Sequence, residues 1–172
     1  PRAPRRFWVK EDGVTRGLFD AIDLVRFEPF AERFPDRFFN VGVAEQNMVG
    51  LATGLAEAGF IPFVYSIVPF ATLRPYEFIR NGPILHRLPV RIVGVGGGFE
   101  YGHAGPTHHG LEDVGVMRIQ PGMRVIAPAD PLQARTALLA AGGRPVLIAS
   151  VSGCRFIVPP PSRPRTPRPV RG

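Results

Sequence analysis

Two segments of the sequence carry side chains that could do chemistry, and the first of them contains a single carboxylate. This segment is Gly42-Val-Ala-Glu-Gln-Asn-Met-Val-Gly50, in which Glu45 stands between a short apolar run and a helical pattern. A carboxylate in the first turn of a helix complements the positive end of the helix dipole, for less than about 1 kcal/mol. Taken alone, the position of Glu45 therefore indicates a structural role.

The second segment is rich in glycine and histidine and runs from Gly96 to Gly110. It holds six glycines, which let the backbone approach a ligand closely, together with His103, His108 and His109. The histidines could act as an acid, a base or metal ligands. A zinc site needs three or four converging ligands, and adjacent histidines in a flexible loop seldom converge. We therefore expect no metal site, and a surface loop with solvated histidines is the plainer interpretation.

Apolar runs alternate with helical patterns along the chain, which predicts an α/β fold built on an open, doubly wound, mostly parallel sheet with helices on both faces. Ligands of such sheets gather at the carboxyl ends of the strands, here in the loops near Gly42, Ser66, Gly96 and Pro128. Asp130 is the expected N-cap of the last helix. The expected strands cover about residues 37–41, 61–66, 90–95, 124–127 and 145–151, and the expected helices cover 44–58, 71–81 and 131–141.

Composition limits the classes of protein that this chain can represent. The 172 residues have the length of one domain, and 45% of them are hydrophobic. No apolar run is long enough to cross a membrane, no secretory signal is visible, and the single cysteine, Cys154, excludes an internal disulfide. We expect a cytoplasmic location. The net charge of +7 comes from the two ends, because residues 11–153 carry 12 basic and 14 acidic residues. No basic face for nucleic acid is therefore expected, and RNA binding through the arginine-rich ends is the disfavoured alternative.

The distribution of charged residues and prolines predicts that the chain has three parts. Residues 1–15 are expected to be an irregular N-terminal segment and residues 16–153 one folded domain. Residues 154–172 form a proline- and arginine-rich tail without apolar periodicity, which is typical of disorder.

Four motifs, in this order, give the sequence a family resemblance. They are Phe34-Pro-Asp-Arg-Phe-Phe-Asn-Val-Gly-Val-Ala-Glu-Gln-Asn-Met-Val-Gly50, the run from Phe70 to Asn81, Gly105-Pro-Thr-His-His-Gly110, and Arg118 to Asp130. Together they closely resemble the pyrimidine-binding domain of transketolases and deoxyxylulose-phosphate synthases over about residues 30–150. The resemblance implies thiamine diphosphate as cofactor, with its magnesium ion and diphosphate held by a separate domain on a partner chain.

The resemblance also implies roles for individual side chains. Glu45 matches the family glutamate that hydrogen-bonds the pyrimidine ring nitrogen, which would make it a catalytic and cofactor-binding residue. Phe70 matches the aromatic residue that packs on the pyrimidine ring, although core packing is an open alternative for it. His108 matches the histidine that contacts the donor sugar near the reacting carbon, which would make it a catalytic and substrate-binding residue.

Three further residues are candidate substrate contacts. His109 resembles the second histidine of some small transketolase subunits, and Arg74 resembles an arginine of the synthases. His103 is absent from the usual pattern and could supply a different polar contact, because the family aspartate that reads a substrate hydroxyl is replaced here by Ala104. An arginine expected after the last strand is missing as well, which leaves the sugar-phosphate specificity open.

These comparisons predict the pyrimidine-binding subunit or fragment of a transketolase-like enzyme that transfers a ketol unit between sugar phosphates. It would act only in a dimer or heterotetramer with a chain that carries the diphosphate domain. Two alternatives stay open: a non-catalytic remnant or interaction module of the same fold, and a β-type subunit of a 2-oxo-acid dehydrogenase.

Overall fold

The computed structural model describes residues 6–10, 28–140 and 143–149. Its strands are β1 (Arg6–Lys10), β2 (Phe38–Asn40), β3 (Ile61–Ile67), β4 (Arg91–Val95), β5 (Arg124–Ile126) and β6 (Val146–Ala149). Its α-helices are α1 (Glu28–Arg33), α2 (Glu45–Glu57), α3 (Val68–Thr72), α4 (Tyr76–Ile79), α5 (Asp113–Arg118) and α6 (Pro131–Ala140). A π-helical turn, Arg80–Ile84, extends α4, and short 3-10 turns cover Pro35–Arg37, Gly102–Ala104 and Pro106–His108.

The described strands form one six-stranded parallel sheet in the order β2-β1-β3-β4-β6-β5. This arrangement confirms the predicted α/β class with a parallel sheet. Because all strands run the same way, their carboxyl ends lie along one edge, where the loops after β2, β3 and β4 meet.

Alternate residues of each central strand face opposite sides of the sheet, and helices cover both sides. Val64, Ile92 and Leu147 pack with buried residues of α2, α3 and α5. On the other side, Phe63, Val93 and Ile148 pack with Ala134 and Ala137 of α6 and with Phe30 of α1. Parallel strands buried on both faces read as nearly continuous apolar runs, which is why Val90 to Val95, apolar except for Arg91, is recognisable as a strand in the sequence.

The last helix begins as its sequence predicts. Asp130 accepts a hydrogen bond through its Oδ1 from the backbone N–H of Gln133, at 2.8 Å. The Gln133 side chain in turn accepts a hydrogen bond from the N–H of Ala129, at 3.1 Å. This reciprocal pair satisfies two N–H groups at the start of α6 and confirms Asp130 as its N-cap.

One predicted helix is wrong in its continuity. The single helix expected over residues 71–81 is two short helices, α3 and α4, which are separated by a turn at residues 73–75. Pro75 lies in this turn and serves as the N-cap of α4. Proline has no N–H to donate to the preceding turn and disfavours the helical conformation of the residue before it, so the helix breaks at Arg74.

Three short elements are not predicted from the sequence. Residues 6–10, within the segment expected to be irregular, form β1 between β2 and β3. Helix α1 lies before the first predicted strand, and α5 begins three residues after Gly110. All three elements are only five or six residues long, which is too short for a clear period. The other predicted elements agree with the structure to within two residues at each end, and the predicted tail over 154–172 lies outside the described residues.

Candidate functional site

Glu45 is positioned by the sharp turn between β2 and α2. Gly42 has a φ of +68°, a conformation that favours glycine, and its N–H donates to the side chain of Asn40 at the end of β2, at 3.1 Å. Glu45 is then the first residue of α2, and only 2% of it is exposed. A carboxylate that merely complements a helix dipole would lie in solvent, so burial gives Glu45 a more specific environment than its sequence position indicates.

Arg74 is the cationic partner of Glu45. A guanidinium N–H of Arg74 donates to Oε1 of Glu45, and the two side chains form an ion pair. Glu45 is buried in this pair, whereas 41% of the Arg74 side chain is exposed. The buried carboxylate is thus reached from the solvent side through the turn between α3 and α4.

Phe70 presents a ring face to the same guanidinium. The guanidinium carbon of Arg74 lies 3.8 Å from the Phe70 ring centroid, which is a close cation–π contact. Phe70 is 7% exposed and belongs to a small apolar cluster with Ile67, Val95 and Tyr101. Part of the Phe70 side chain therefore packs in an apolar cluster, and one face of its ring contacts a planar cation. Core packing and contact with a flat ring, the two roles that the sequence leaves open for Phe70, are thus compatible.

His108 lies against Phe70 from the glycine-rich loop. The two rings meet edge to face with their centroids 5.0 Å apart. Burial lowers the pKa of His108, and the nearby charges of Arg74, His103 and His109 lower it further. His108 Nδ1 is 2.9 Å from the hydroxyl oxygen of Thr107, a contact that holds the imidazole in one orientation. The structure thus brings Glu45, Phe70, Arg74 and His108 to one place.

The other two histidines occupy neighbouring positions in the loop. His103 is exposed and packs edge-on near Tyr101, with ring centroids 6.4 Å apart. His109 meets Phe99 at 4.9 Å, and within the described part of the chain its buried Nε2 has no hydrogen-bond partner. They are close enough to influence the pKa of His108, and their predicted role in substrate binding stays a prediction.

The loop itself is fixed by close backbone contacts. Gly98 and Gly110 exchange two backbone hydrogen bonds, at 2.8 and 2.9 Å. A Cβ on Gly110 would lie 2.4 Å from a methyl carbon of Val68, the first residue of α3. Only glycine allows this approach, which fastens the histidine loop to the helix that carries Phe70.

Sequence reasoning missed a carboxyl group in this loop. Burial raises the pKa of Glu100, although a hydrogen bond from the backbone of Gly96 opposes the shift. Among the described residues, no hydrogen-bond partner contacts the buried Oε2 of Glu100. Burial and the charge of Glu100 raise the pKa of Tyr101 to about 12 and also raise that of Tyr65. Glu100 has no periodic or motif signal in the sequence, so only its place in the fold reveals it.

The described residues contain neither a metal cluster nor a membrane span. No group of three or more histidine, cysteine, aspartate or glutamate side chains in this part of the chain is arranged to hold a metal ion. No helix within the same residues combines the length and apolar character that are needed to cross a bilayer.

A buried carboxylate beside an aromatic face, with an imidazole at its edge, suits a flat nitrogen-containing ring. The guanidinium of Arg74 supports this interpretation, since it is itself flat and nitrogen-rich and makes contact with both Glu45 and Phe70. The profile of one protein family, "Transketolase, pyrimidine binding domain", matches residues 11–150. The chain belongs to this family.

Known members of the transketolase family share much of the sequence. A "Putative transketolase C-terminal section" from Methanocaldococcus jannaschii is 50% identical over 101 residues, which cover 59% of this chain and 32% of the relative. A subunit of an apulose-4-phosphate transketolase from Actinobacillus succinogenes is 35% identical over 116 residues, covering 67% of this chain and 37% of the relative. The chain thus spans about a third of the length of these relatives. Deoxyxylulose-phosphate synthases match as well, which confirms that part of the resemblance.

Solved transketolase structures share the fold. A "Split gene transketolase, inactive beta4 tetramer" superposes with a TM-score of 0.63 and 35% identity, over 83% of this chain and 44% of that one. The predicted fold, that of the transketolase pyrimidine domain, is therefore confirmed.

Proposed function

We propose that this chain is the pyrimidine-binding part of a transketolase-like thiamine diphosphate enzyme that transfers a ketol unit between sugar phosphates. The observation that carries the proposal is that the buried carboxylate of Glu45 and the ring face of Phe70 both contact the flat guanidinium of Arg74. A carboxyl group beside an aromatic face can share a proton with a ring nitrogen of an aminopyrimidine that stacks on that face. Family membership supports thiamine diphosphate as the source of that ring.

The residues present fit the pyrimidine half of this cofactor. Phe70 would hold the ring face, and Glu45 would accept a hydrogen bond from the ring nitrogen and so favour the tautomer that can take up a proton. When bound, thiamine diphosphate supplies the carbon nucleophile that adds to a ketose carbonyl. The chain's contribution is therefore to bind the ring, to orient it and to keep a carboxylate at one ring nitrogen.

His108 would act on the sugar rather than on the cofactor. Its lowered pKa favours the neutral imidazole near pH 7, which can donate to or accept from a hydroxyl or carbonyl oxygen. Thr107 occupies Nδ1, so Nε2 is the nitrogen that would serve the substrate. His103, His109 and Arg74 would add polar contacts around the same sugar.

The diphosphate half of the site and its magnesium ion would come from a second chain. The names of the relatives, which describe a C-terminal section, one subunit of a transketolase and a split-gene protein, support a division of the enzyme between chains. The "inactive beta4 tetramer" in one name supports the expectation that such a chain needs its partner for turnover. We infer a dimer or heterotetramer with a chain that carries the diphosphate domain.

Calorimetry with thiamine diphosphate and magnesium tests the proposal, first with this chain alone and then with a partner chain that carries the diphosphate domain. We expect binding in the mixture only, followed by ketol transfer from a ketose phosphate. The Glu45→Gln variant should bind weakly in the same mixture, whereas Glu57→Gln, at the exposed end of α2, should behave like wild type. Absence of binding in every mixture would favour the non-catalytic module instead.

A further inference from the structure

Arg74 lies at the centre of the candidate site rather than at its rim. Its guanidinium donates to the buried Glu45 carboxylate and lies 3.8 Å above the centre of the Phe70 ring. Its charge also lowers the pKa of His108, which contacts Phe70 from the edge. One side chain thus contacts both residues that the proposed function assigns to the cofactor, and its charge acts on His108, which the proposed function assigns to the sugar.

The two direct contacts of Arg74 are the two that an aminopyrimidine ring would need. A guanidinium is planar, delocalised and cationic, stacks on aromatic faces and donates to carboxylates through a fixed fork of N–H groups. An aminopyrimidine that accepts the same stacking and donates to the same carboxylate competes for the same volume. At a separation of 3.8 Å, no second flat group fits between the guanidinium and that face of Phe70.

We propose that the Arg74 guanidinium is a built-in competitor for the pyrimidine site: it occupies the face of Phe70 and the Glu45 carboxylate, and it must move aside when the ring binds. This inference rests on the proposed function, because it takes the competing ring to be that of thiamine diphosphate. It assigns Arg74 to the control of cofactor affinity, whereas its resemblance to the synthase arginine implied contact with the substrate.

The position of Arg74 in the fold allows this movement. The residue lies in the turn between α3 and α4, and 41% of its side chain is exposed. An arginine side chain with access to water can leave a contact by rotating about its own bonds, since the charged head is easily hydrated there. Phe70 and Glu45 are both buried among packed side chains, which restricts their movement. The binding surface would therefore stay in place while its present occupant leaves.

Removal of the guanidinium should strengthen cofactor binding. In the complex with a diphosphate-domain chain, we expect Arg74→Ala to bind thiamine diphosphate and magnesium about 3- to 30-fold more tightly than wild type, the range that a lost cation–π contact of ordinary strength implies. Arg74→Lys keeps the positive charge but lacks the planar guanidinium. Its affinity for thiamine diphosphate should therefore lie between those of wild type and Arg74→Ala. Arg80→Ala, at an exposed position on the following π-helical turn, is the matched control and should bind like wild type.

A second arm uses the full chain without any partner. Methylguanidinium should bind saturably to Arg74→Ala and shift the NMR signals of the Phe70 and His108 rings, because it restores the missing head group. Wild type, in which Arg74 holds the position, should show no such site, nor should the double variant Arg74→Ala/Phe70→Ala. In the complex, methylguanidinium should weaken cofactor binding by Arg74→Ala towards the wild-type value.

The outcomes separate the two proposals. If Arg74→Ala binds the cofactor as wild type does, or more weakly, Arg74 does not compete and the inference is overturned while the proposed function stands. If no complex binds thiamine diphosphate at all, the proposed function fails and the competition fails with it.

Discussion

The imidazole of His108 meets the ring of Phe70 edge to face, with 5.0 Å between the centroids. The contact joins a residue assigned to the sugar with one assigned to the cofactor, and the two come from different segments of the chain. It is possible because Gly110 packs directly on Val68, two residues before Phe70. Small changes at the contact between Gly110 and Val68 should therefore affect both the sugar-binding and the cofactor-binding parts of the proposed site.

Substitution of Glu45 should remove cofactor activation. We expect Glu45→Gln and Glu45→Ala to lower the turnover of the assembled enzyme about 100-fold or more, because general acid–base assistance to the ring would be lost. Steady-state kinetics of the complex measures the effect, with Glu57→Gln as the control on the same helix. Turnover equal to that of wild type in Glu45→Ala would remove Glu45 from the mechanism.

Substitution of His108 should affect the sugar and spare the cofactor. His108→Ala should lower kcat/KM for a ketose phosphate about 10- to 100-fold, because a substrate polar group left without its hydrogen-bond partner costs about 1–3 kcal/mol. Thiamine diphosphate affinity, measured by calorimetry on the same complex, should change little. His86→Ala removes an exposed histidine elsewhere and is the control. A large loss of cofactor affinity with unchanged kinetics at saturation would contradict this division of roles.

The pKa of His108 should rise when Arg74 is replaced by alanine. The positive charge of Arg74 disfavours the protonated imidazole, so removing it makes protonation easier. An NMR titration of the imidazole signals in the full chain measures the shift, and Arg80→Ala should leave the midpoint where it is in wild type. A lowered or unchanged midpoint in Arg74→Ala would mean that the guanidinium does not act on His108.

The ionisation of Glu100 should make the fold less stable as the pH rises. Burial raises its pKa above the usual value of 4.5, so the folded chain binds more protons than the unfolded chain between 4.5 and the raised value. The free energy of unfolding should therefore fall as the pH rises through this window and stay lower above it. Glu100→Gln cannot ionise and should show a higher Tm than wild type at pH 7 and a similar Tm near pH 4.

Thermal unfolding from pH 4 to 8 measures this difference. Glu57→Gln is again the control, because Glu57 is exposed and its replacement should not change the pH dependence. Parallel pH profiles for wild type and Glu100→Gln would show that the carboxyl group is not buried in solution.

The close contact between Gly110 and Val68 of α3 should tolerate no side chain at position 110. A Cβ on Gly110 would lie 2.4 Å from Val68 Cγ1 and 3.1 Å from the carbonyl oxygen of Gly96, so Gly110→Ala should cost about 1–3 kcal/mol of stability. Gly115→Ala, in α5 with no atom within 4 Å of the new Cβ, should be neutral or stabilising. Chemical denaturation of the two variants compares them, and Val68→Ala should recover part of the loss.

Much of this architecture could be predicted from local patterns. Val90 to Val95 is buried on both sides and is apolar except for Arg91, and Asp130 carries the capping chemistry of α6. Glu45 at a strand-to-helix junction is visible in the same way, and the family resemblance gave it a role. These features depend on residues that are close in sequence, which is why the sequence alone indicates them.

The features that could not be predicted depend on contacts between distant segments. Arg74 and Glu45 are 29 residues apart, and no periodicity indicates that they pair. The burial of Glu100 likewise depends on how its loop folds over the sheet, which its glycines permit but do not specify. Pro75 did carry a local signal for the break between α3 and α4, and the helical spacing of the apolar residues around it concealed that signal.

The position of β1 in the sheet helps to fix the position of the distant Glu45 carboxylate. In the described sheet β2 is an edge strand whose one neighbour is β1, and Glu45 follows β2 by only five residues. After cleavage of the chain at residue 10 by a protease, β1 would be held in the sheet only by its pairing with β2 and β3. Loss of β1 would then leave β2, and the turn that leads from β2 to Glu45, without a neighbouring strand, so damage more than thirty residues upstream would disturb the position of this carboxylate.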